Sequence, residues 1–342
     1  MGDKIAVIAN SKYYKEYRSS CAYYLSKLGW HTKQYDTISE GKSCDILILV
    51  GLAFFPKVSY CKKKLVIGIQ GEQLPLPGDK DWSLNRNLKR FKAMANFYDL
   101  VIEWSPQNFE HHTCPVPRKF IPFGAPQPSA YPKSNTWDVV FLGNPYGGNG
   151  RRIPILEKVH EICKLNPVRE AWGDQKFEIL NDTKICLNLH QFETHSFESP
   201  RIFELLSEGC FVLSEPIQNS YPFESGKHFI EFDGTKDLKI KINYFLNHQT
   251  QREQIAKDGQ IMAQSHTQKQ MIELLSDEIK NVSRIKSSEF IRYSRWLKGK
   301  LKNSLIEFRD IIAKIKRKVF SLLRNDLIFE MLWYYIIFKK RC

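Results

Sequence analysis

The sequence has no Cys-x-x-Cys pair, no N-terminal apolar run resembling a secretory signal, and no uncharged apolar stretch of about 20 residues. These absences argue against a clustered zinc site, secretion and a helix that crosses a membrane. Of the eight cysteines, Cys44, Cys186 and Cys210 lie in or beside apolar runs typical of strands. Free cysteine behaves as a small buried hydrophobe, so we expect reduced thiols and a cytoplasmic protein.

Positive charge is concentrated at one end of the chain. The 342 residues contain 51 Lys and Arg against 37 Asp and Glu, a formal net charge of +14. Residues 283–342 hold 16 of the basic and 5 of the acidic side chains, so the preceding body is nearly neutral. We therefore expect no nucleic-acid partner for the body, and contact with a polyanion only through this tail.

Short, continuous apolar runs alternate with helical patterns along the first half. Continuous runs are typical of parallel strands buried on both faces, whereas half-exposed strands alternate apolar with polar residues. Length and pattern predict a Rossmann-like domain over 1–130, which ends in a proline-rich linker. The predicted strands are 4–9, 45–50, 65–70, 99–104 and 118–123, with helices at 12–28 and 83–97.

The same pattern restarts after the linker and predicts a second Rossmann-like domain over 131–282. The predicted fold class is therefore α/β, with two doubly wound domains facing across a cleft and a basic amphipathic helical tail. Ligands of such sheets bind beyond the carboxyl ends of the strands. The predicted elements are strands at 137–143, 185–190 and 210–215, helices at 152–164 and 199–208, and further helices after Asp237.

The stretch 188–215 contains the most specific pattern of the sequence. It reads as a strand end, a polar loop, a helix N-terminus and a second strand. Ser199 and Pro200 suit the N-cap and first turn of that helix, whose free amides could bind a diphosphate. Glu204 follows in the same helix, where a carboxylate can accept both hydroxyls of a ribose.

These residues resemble a known family. Arg201-Ile202-Phe203-Glu204, followed by 208–213 (EGCFVL), is similar to the signature of group 1 glycosyltransferases, particularly the CgeB-like (spore-maturation) branch. The similarity covers about 137–280 and extends only loosely into the first domain. It implies the GT-B fold, a nucleotide-sugar donor in the C-terminal domain, and Glu204 as the carboxylate that binds the donor ribose.

One position departs from the family pattern. Related retaining enzymes carry two glutamates eight positions apart, and counting back from Glu204 gives Ser196. Glu198 or Glu193 could take the place of the first glutamate, and Glu198 is our candidate catalytic carboxylate. The departure also keeps open a second hypothesis, a nucleotide-sugar-binding protein that has lost catalysis.

A glycine-rich segment at 143–152 lies between a predicted strand and a helix. Gly143 would allow a close backbone approach, while Arg151 and Arg152 could pair with phosphate oxygens. Such segments are also common as plain turns. Arg201 and Lys227 are further candidates for the donor diphosphate, with solvated surface charges as the alternative.

The remaining candidates would act on the acceptor or contact the sugar. Glu72 follows a predicted strand of the first domain and could serve as a catalytic base, or be a surface glutamate. His190, a candidate catalytic residue, and His195, a candidate donor contact, lie in the predicted cleft loop, although both could be polar residues at a strand end. No Asp-x-Asp motif directly follows a predicted strand, so we expect no cofactor and no obligatory metal.

The tail carries a regular apolar stripe flanked by lysines. Leucine, isoleucine and phenylalanine recur at three- and four-residue steps from Leu297 to Leu322, and the apolar segment 327–338 follows. A basic amphipathic helix of this kind suits the surface of an anionic membrane. The alternatives are a helix packed on the protein itself, an oligomer seam, or RNA binding.

Together these patterns predict a metal-independent glycosyltransferase, transferring a hexosyl or related group. The expected partners are a nucleotide-sugar donor, a glycan or lipid-linked acceptor, and an anionic membrane surface bound through 283–342. The expected location is the cytoplasm, at the inner face of the membrane.

Overall fold

The computed structural model describes residues 3–52, 55, 58, 64–146, 150–166, 171–284 and 289–323. They form two α/β domains, each built around a sheet whose strand pairs are all parallel. The predicted fold class, with two doubly wound domains, is therefore confirmed.

The N-terminal sheet has the strand order β2-β1-β3-β4-β5-β6. Every residue of β3 is buried, as its continuous apolar sequence predicts. The elements of this domain are β1 (Lys4–Ile8), α1 (Lys15–Lys27), β2 (His31–Tyr35), β3 (Ile46–Val50), β4 (Leu65–Gln70), α2 (Trp82–Met94), β5 (Leu100–Glu103), α3 (Pro106–His111) and β6 (Arg118–Phe120). Short 3-10 helices cover Lys12–Tyr14, Glu40–Ser43 and Ala95–Phe97.

The C-terminal sheet has the order β11-β10-β9-β7-β8. Here β9 ends at Asn188 and β10 at Ser214, so the stretch 188–215 begins and ends at the carboxyl edge of adjacent strands. The elements are β7 (Trp137–Val140), α4 (Arg152–His160), β8 (Leu165–Asn166), α5 (Asp174–Asn181), β9 (Thr183–Asn188), α6 (Ser199–Ser207), β10 (Val212–Ser214), β11 (Ile230–Glu231), α7 (Gly234–Asn247), α8 (Gln249–Gln264) and α9 (Gln268–Arg284).

The chain returns from the second domain to the first through α9. The linker residue Ala125 exchanges backbone hydrogen bonds with this returning segment, donating to His266 O at 2.7 Å and accepting from Gln268 N at 2.8 Å. Helix α9 then packs against α1, where Trp30 Nε1 donates to Ser276 Oγ at 2.9 Å. The last helix of the second domain in sequence thus packs on the first domain in space.

The last described helix, α10 (Glu289–Leu323), also packs on the N-terminal domain, against α2 and the 3-10 helix Ala95–Phe97. Arg86 forks onto Asp310 of α10, with Nη2 2.6 Å from Oδ2, and Arg90 reaches the same oxygen at 3.1 Å. Gly299 allows the helices to meet closely, since a Cβ there would lie 2.9 Å from Ala93 O.

Because one face of α10 is packed, residues 289–323 are not a tail separate from the two folded domains. The apolar stripe itself is exposed, so the amphipathic helix predicted from the sequence is present. The apolar segment 327–338 lies outside the described residues. In the part of the chain that the structure covers, no helix is both long and apolar enough to span a membrane.

Candidate active site

A cavity of about 490 Å³ opens between the two domains, beside the carboxyl ends of both sheets. Parallel sheets bind ligands at this edge, as the sequence pattern predicts. The N-terminal domain lines it with Tyr13, Tyr14, Glu16, Glu72, Gln73 and Trp104, and the C-terminal domain with Gly143, Arg152, Lys176, Ser196, Glu198, Ser199, Arg201 and Glu204, among others.

The N-terminus of α6 points into this cavity. Glu198 is the N-cap and Ser199 the first helical residue, so the predicted N-cap lies one residue too far along the chain. The Ser199 side chain makes no capping bond. Its Oγ is buried without a hydrogen-bond partner, although the residue is only 2% exposed and lines the cavity. A buried hydroxyl beside free helix amides is a site for a negatively charged ligand.

Glu198 is the most highly coordinated carboxylate of the cavity. Its Oε2 lies 2.8 Å from Arg201 Nη1, and its Oε1 accepts a hydrogen bond from Gln73 Nε2 at 3.0 Å, across the domain boundary. Arg152 Nη2 lies 3.6 Å from Oε1. Burial alone would raise the pKa of Glu198, but Arg201, His190 and Arg152 outweigh burial and hold it well below its usual range. A carboxylate held this firmly in its charged form positions the arginines and is unsuited to accept a proton.

The two consecutive arginines at the start of α4 have different environments. Arg152 is 3% exposed and lines the cavity, and its guanidinium also donates to Leu189 O at 2.7 Å. Burial lowers its pKa to about 10, so it stays cationic at neutral pH. Arg151 does not line the cavity and forks onto Glu215 at 2.6 and 2.9 Å. The structure therefore brings only one of the two predicted phosphate ligands to the cavity.

Gly143 reaches the cavity as predicted, next to an arginine of α6. Its φ is +154°, and a Cβ there would lie 3.2 Å from Arg201 Nη2 and 3.1 Å from the Phe141 ring. Glycine thus leaves room for the Arg201 guanidinium beside the strand end. Residues 147–149 of the glycine-rich segment lie outside the described residues.

Glu204 lines the cavity one turn into α6, where the sequence places it. It faces Lys176 of α5, whose Nζ is 3.5 Å from Glu204 Oε2 and 2.5 Å from Glu16 Oε2 of the N-terminal domain. Burial raises the pKa of Glu204, and Lys176 opposes that shift. One ammonium group therefore links the carboxylates of the two domains at the wall of the cavity.

Glu72 extends into the cavity from the N-terminal domain. Tyr14 donates to its Oε1 at 2.8 Å, and Asn108 Nδ2 donates to its backbone oxygen at 3.0 Å. Burial raises the pKa of this carboxyl, and the hydrogen bond from Tyr14 only partly offsets the shift. A partly buried carboxylate with a raised pKa is a suitable general base, so the predicted position of Glu72 is consistent with acid–base chemistry.

Behind Glu72, the fully buried Glu103 organises the loop. Asn108 Nδ2, which contacts the Glu72 backbone, also donates to Glu103 Oε1 at 3.2 Å, as does Ser105 N. Burial raises the pKa of Glu103 to about 8 from its ordinary value of 4.5, despite Arg118 at 4.0 Å. The folded chain thus retains a proton there that the unfolded chain loses at lower pH.

We therefore expect the free energy of unfolding to contain a component that falls as pH rises from about 4.5 to about 8. Glu103→Gln should remove this component, because glutamine has no proton to lose. At about pH 8.5 the variant should therefore lose less stability than the wild type does. Urea unfolding of both proteins at about pH 5 and about pH 8.5 measures the change. Glu224→Gln, at an exposed position, is the control. Equal pH dependence in wild type and Glu103→Gln would contradict this assignment.

An aromatic wall lines the N-terminal side of the cavity. Tyr13 meets Trp172 of the C-terminal domain edge-on, with ring centroids 5.3 Å apart, and Trp104 packs against Tyr14 at 5.8 Å. These residues, together with Gln73 and Lys176, were not predicted from the sequence. The position of Tyr13 and Tyr14 just beyond the carboxyl end of β1 was the available signal.

Besides Arg151, three predicted residues lie away from the cavity. His190 is buried outside the cavity lining, and its Nδ1 lies 3.8 Å from Glu198 Oε1. The exposed His195 lines a separate pocket together with Arg151 and Glu193. Lys227 is exposed and lies 3.7 Å from Glu224. By contrast Ser196, at the position of the missing glutamate, is buried in the cavity wall and shares a hydrogen bond with Thr194 Oγ1 at 3.0 Å.

Comparisons with known proteins bear on the family and on the fold. Residues 131–277 match the family model described as glycosyl transferase-like, and the CgeB-like branch is not confirmed. No curated protein matches the sequence.

Solved structures match over most of the chain. Sucrose-phosphate synthase from Thermosynechococcus elongatus is 11% identical with a TM-score of 0.60, and the match covers 83% of this chain and 100% of that chain. HepE from Anabaena, in complex with UDP-glucose, is 13% identical with a TM-score of 0.60, covering 82% and 100%. A glycosyltransferase from Rickettsia africae is 10% identical with a TM-score of 0.54, covering 83% and 100%. The fold is that of the GT-B glycosyltransferases.

Proposed function

We propose that the protein is a glycosyltransferase that moves a hexosyl or related group from a nucleotide-sugar donor bound in the interdomain cavity. The observation that carries this proposal is the convergence of Ser199 Oγ, Arg201 and Glu204 on one cavity, all from the first two turns of α6. This arrangement offers adjacent contacts to a diphosphate and a ribose. The glycosyl transferase-like match over residues 131–277 and the GT-B fold support it.

The donor diphosphate would lie at the N-terminus of α6. The helix amides and the unpartnered Ser199 hydroxyl can donate to phosphate oxygens, and the Arg201 guanidinium supplies a matching positive charge. The buried guanidinium of Arg152 supplies a second positive charge at the site. These groups can stabilise the departing nucleoside diphosphate, so we propose that transfer needs no obligatory metal ion.

The donor ribose would meet Glu204. Its hydroxyls can donate to the carboxylate now 3.5 Å from Lys176, so the ammonium would share Glu204 with the sugar or move toward Glu16. The structurally similar HepE was solved in complex with UDP-glucose, and we propose a nucleotide-sugar donor for this protein as well.

Glu72 is the proposed base on the acceptor side. The acceptor hydroxyl would lose its proton to Glu72 while its oxygen bonds to the anomeric carbon of the donor. The bond from that carbon to the phosphate oxygen breaks, and the electron pair leaves with the nucleoside diphosphate. Burial raises the pKa of Glu72, which makes its carboxylate a stronger base for this proton transfer.

We further propose a glycan or lipid-linked acceptor, reached by a cytoplasmic protein at the inner face of the membrane. A second candidate is a binding protein that takes the donor but does not transfer it. The hydroxyl of Ser196 stands in the cavity wall where related retaining enzymes carry a glutamate, which favours that candidate. Release of nucleoside diphosphate in the presence of native glycan or lipid extracts distinguishes the two.

Glu204→Gln tests the donor site directly. Losing the charged acceptor of the ribose hydrogen bonds should raise the donor dissociation constant about 10-fold, with the fold unchanged. The assay is a titration with UDP-, GDP- and ADP-sugars followed by turnover with and without a chelator. Glu224→Gln is the matched control at an exposed glutamate. Unchanged donor affinity in Glu204→Gln would remove Glu204 from the donor site.

A further inference from the structure

Helix α10 presents a continuous apolar surface to solvent. The stripe consists of Leu297, Leu301, Leu305, Phe308, Ile311, Ile312 and Ile315, which are 38–62% exposed. Its steps of three and four residues keep it on one side of the helix over about 27 Å. Exposed apolar surfaces of this extent mark sites of interaction.

The opposite face of the same helix is fixed to the N-terminal domain. Trp296 Nε1 donates to Val58 O at 2.8 Å, Asp310 receives Arg86 and Arg90, and Asn303 is buried. The stripe is therefore exposed while the helix is anchored. A helix that needed the stripe for its own packing would have turned it inward.

The charges that border the stripe are mostly positive. Lys298 and Lys316 follow one border by helical period and Lys300 the other, and all three are exposed. Of the two acidic side chains in this stretch, Asp310 lies on the packed face and is held by arginines of α2. Glu307 follows the same border as Lys300 and accepts a hydrogen bond from the buried Asn303 at 3.2 Å. A partner surface must therefore be apolar in its interior and negatively charged at its rim.

We propose that this face of α10 docks the protein on an anionic lipid surface, with the helix lying parallel to the membrane. The stripe enters the acyl region, and the lysines meet the lipid phosphates. Because α10 is anchored to the N-terminal domain, it is this domain that the membrane holds. The inference refines the proposed membrane location and does not depend on the donor chemistry.

Flotation with vesicles tests this surface in the full chain. We expect the wild type to float with phosphatidylserine-containing vesicles, and we expect salt to weaken this binding. The triple variant Leu301→Ser, Leu305→Ser and Phe308→Ser should lose affinity about 10- to 100-fold at any salt concentration. Lys298→Gln, Lys300→Gln and Lys316→Gln together should reduce binding to anionic vesicles only.

Two controls keep the result interpretable. Ile240→Ser with Ile261→Ser removes apolar side chains that are 66% and 58% exposed on other helices, and should leave flotation unchanged. Thermal melts and donor titration should be equal for all variants, because every changed side chain is exposed. Equal flotation of wild type and the stripe variant would overturn the proposal. So would light scattering that shows a dimer broken by the stripe variant, without vesicle binding.

Discussion

Glu198→Ala is expected to lower the free energy of unfolding by about 3–5 kcal/mol, the cost of leaving a buried charge without its partner. Arg152 is 3% exposed and lies 3.6 Å from the carboxylate, and Arg201 lies 2.8 Å from it. Without Glu198 the two guanidinium groups face each other across the cavity wall. The Gln73 bond across the domain boundary is lost as well.

Acid should have a related effect on the wild type. The pKa of Glu198 is lower in the folded chain than in the unfolded one, so its stabilising contribution is complete above the unfolded pKa. The contribution is lost as pH falls from about 4.5 toward the folded pKa. Urea unfolding at neutral and acidic pH measures both effects. Glu224→Ala, at an exposed pair 3.7 Å apart, should change stability by less than about 0.5 kcal/mol. A neutral outcome for Glu198→Ala would contradict the buried network.

Arg201→Ala is expected to weaken donor binding about 10- to 100-fold, because a charge-assisted contact to the diphosphate is lost. Arg201→Lys should recover only part of the affinity, since lysine lacks the planar fork. Glu198 keeps Arg152 as a partner in both variants, so the loss of stability should be smaller than in Glu198→Ala. Competition binding with a labelled nucleotide measures the affinity.

Lys227→Ala is the matched control for that prediction. Lys227, like Arg201, was predicted from the sequence as a candidate ligand of the diphosphate, but its side chain is 58% exposed and lies outside the cavity. Donor affinity should therefore be unchanged in this variant. Equal losses in Arg201→Ala and Lys227→Ala would show that general positive charge, and not the geometry of α6, determines affinity.

The sequence predicted the strands that are buried on both faces more closely than the edge strands. Continuous apolar runs gave β3 and β4 almost to the residue. The edge strand β2 (HTKQY) was not predicted, because its residues are exposed or half-exposed and show no apolar pattern. The packing of α10 on the N-terminal domain was not predicted, for a similar reason. It consists of charged and polar residues, a tryptophan and Gly299, whose contacts depend on tertiary structure.

The candidate site was predictable where its residues lie close in sequence. Ser199, Arg201 and Glu204 come from one helix start, so one local pattern located all three. Lys176 and Gln73 meet them only in the folded molecule. Arg151 could not be distinguished from Arg152 by sequence, since its engagement by Glu215 depends on the meeting of β9 and β10 at the sheet edge.

The central claim is that the interdomain cavity binds a nucleoside diphosphate. Its most direct test is a calorimetric titration of the folded protein with UDP, GDP, ADP and their common sugar derivatives. We predict saturable binding, one ligand per chain, for at least one nucleotide family, with the heat strongly reduced in Arg201→Ala and preserved in Lys227→Ala. Folded wild-type protein that binds none of these nucleotides would contradict the claim.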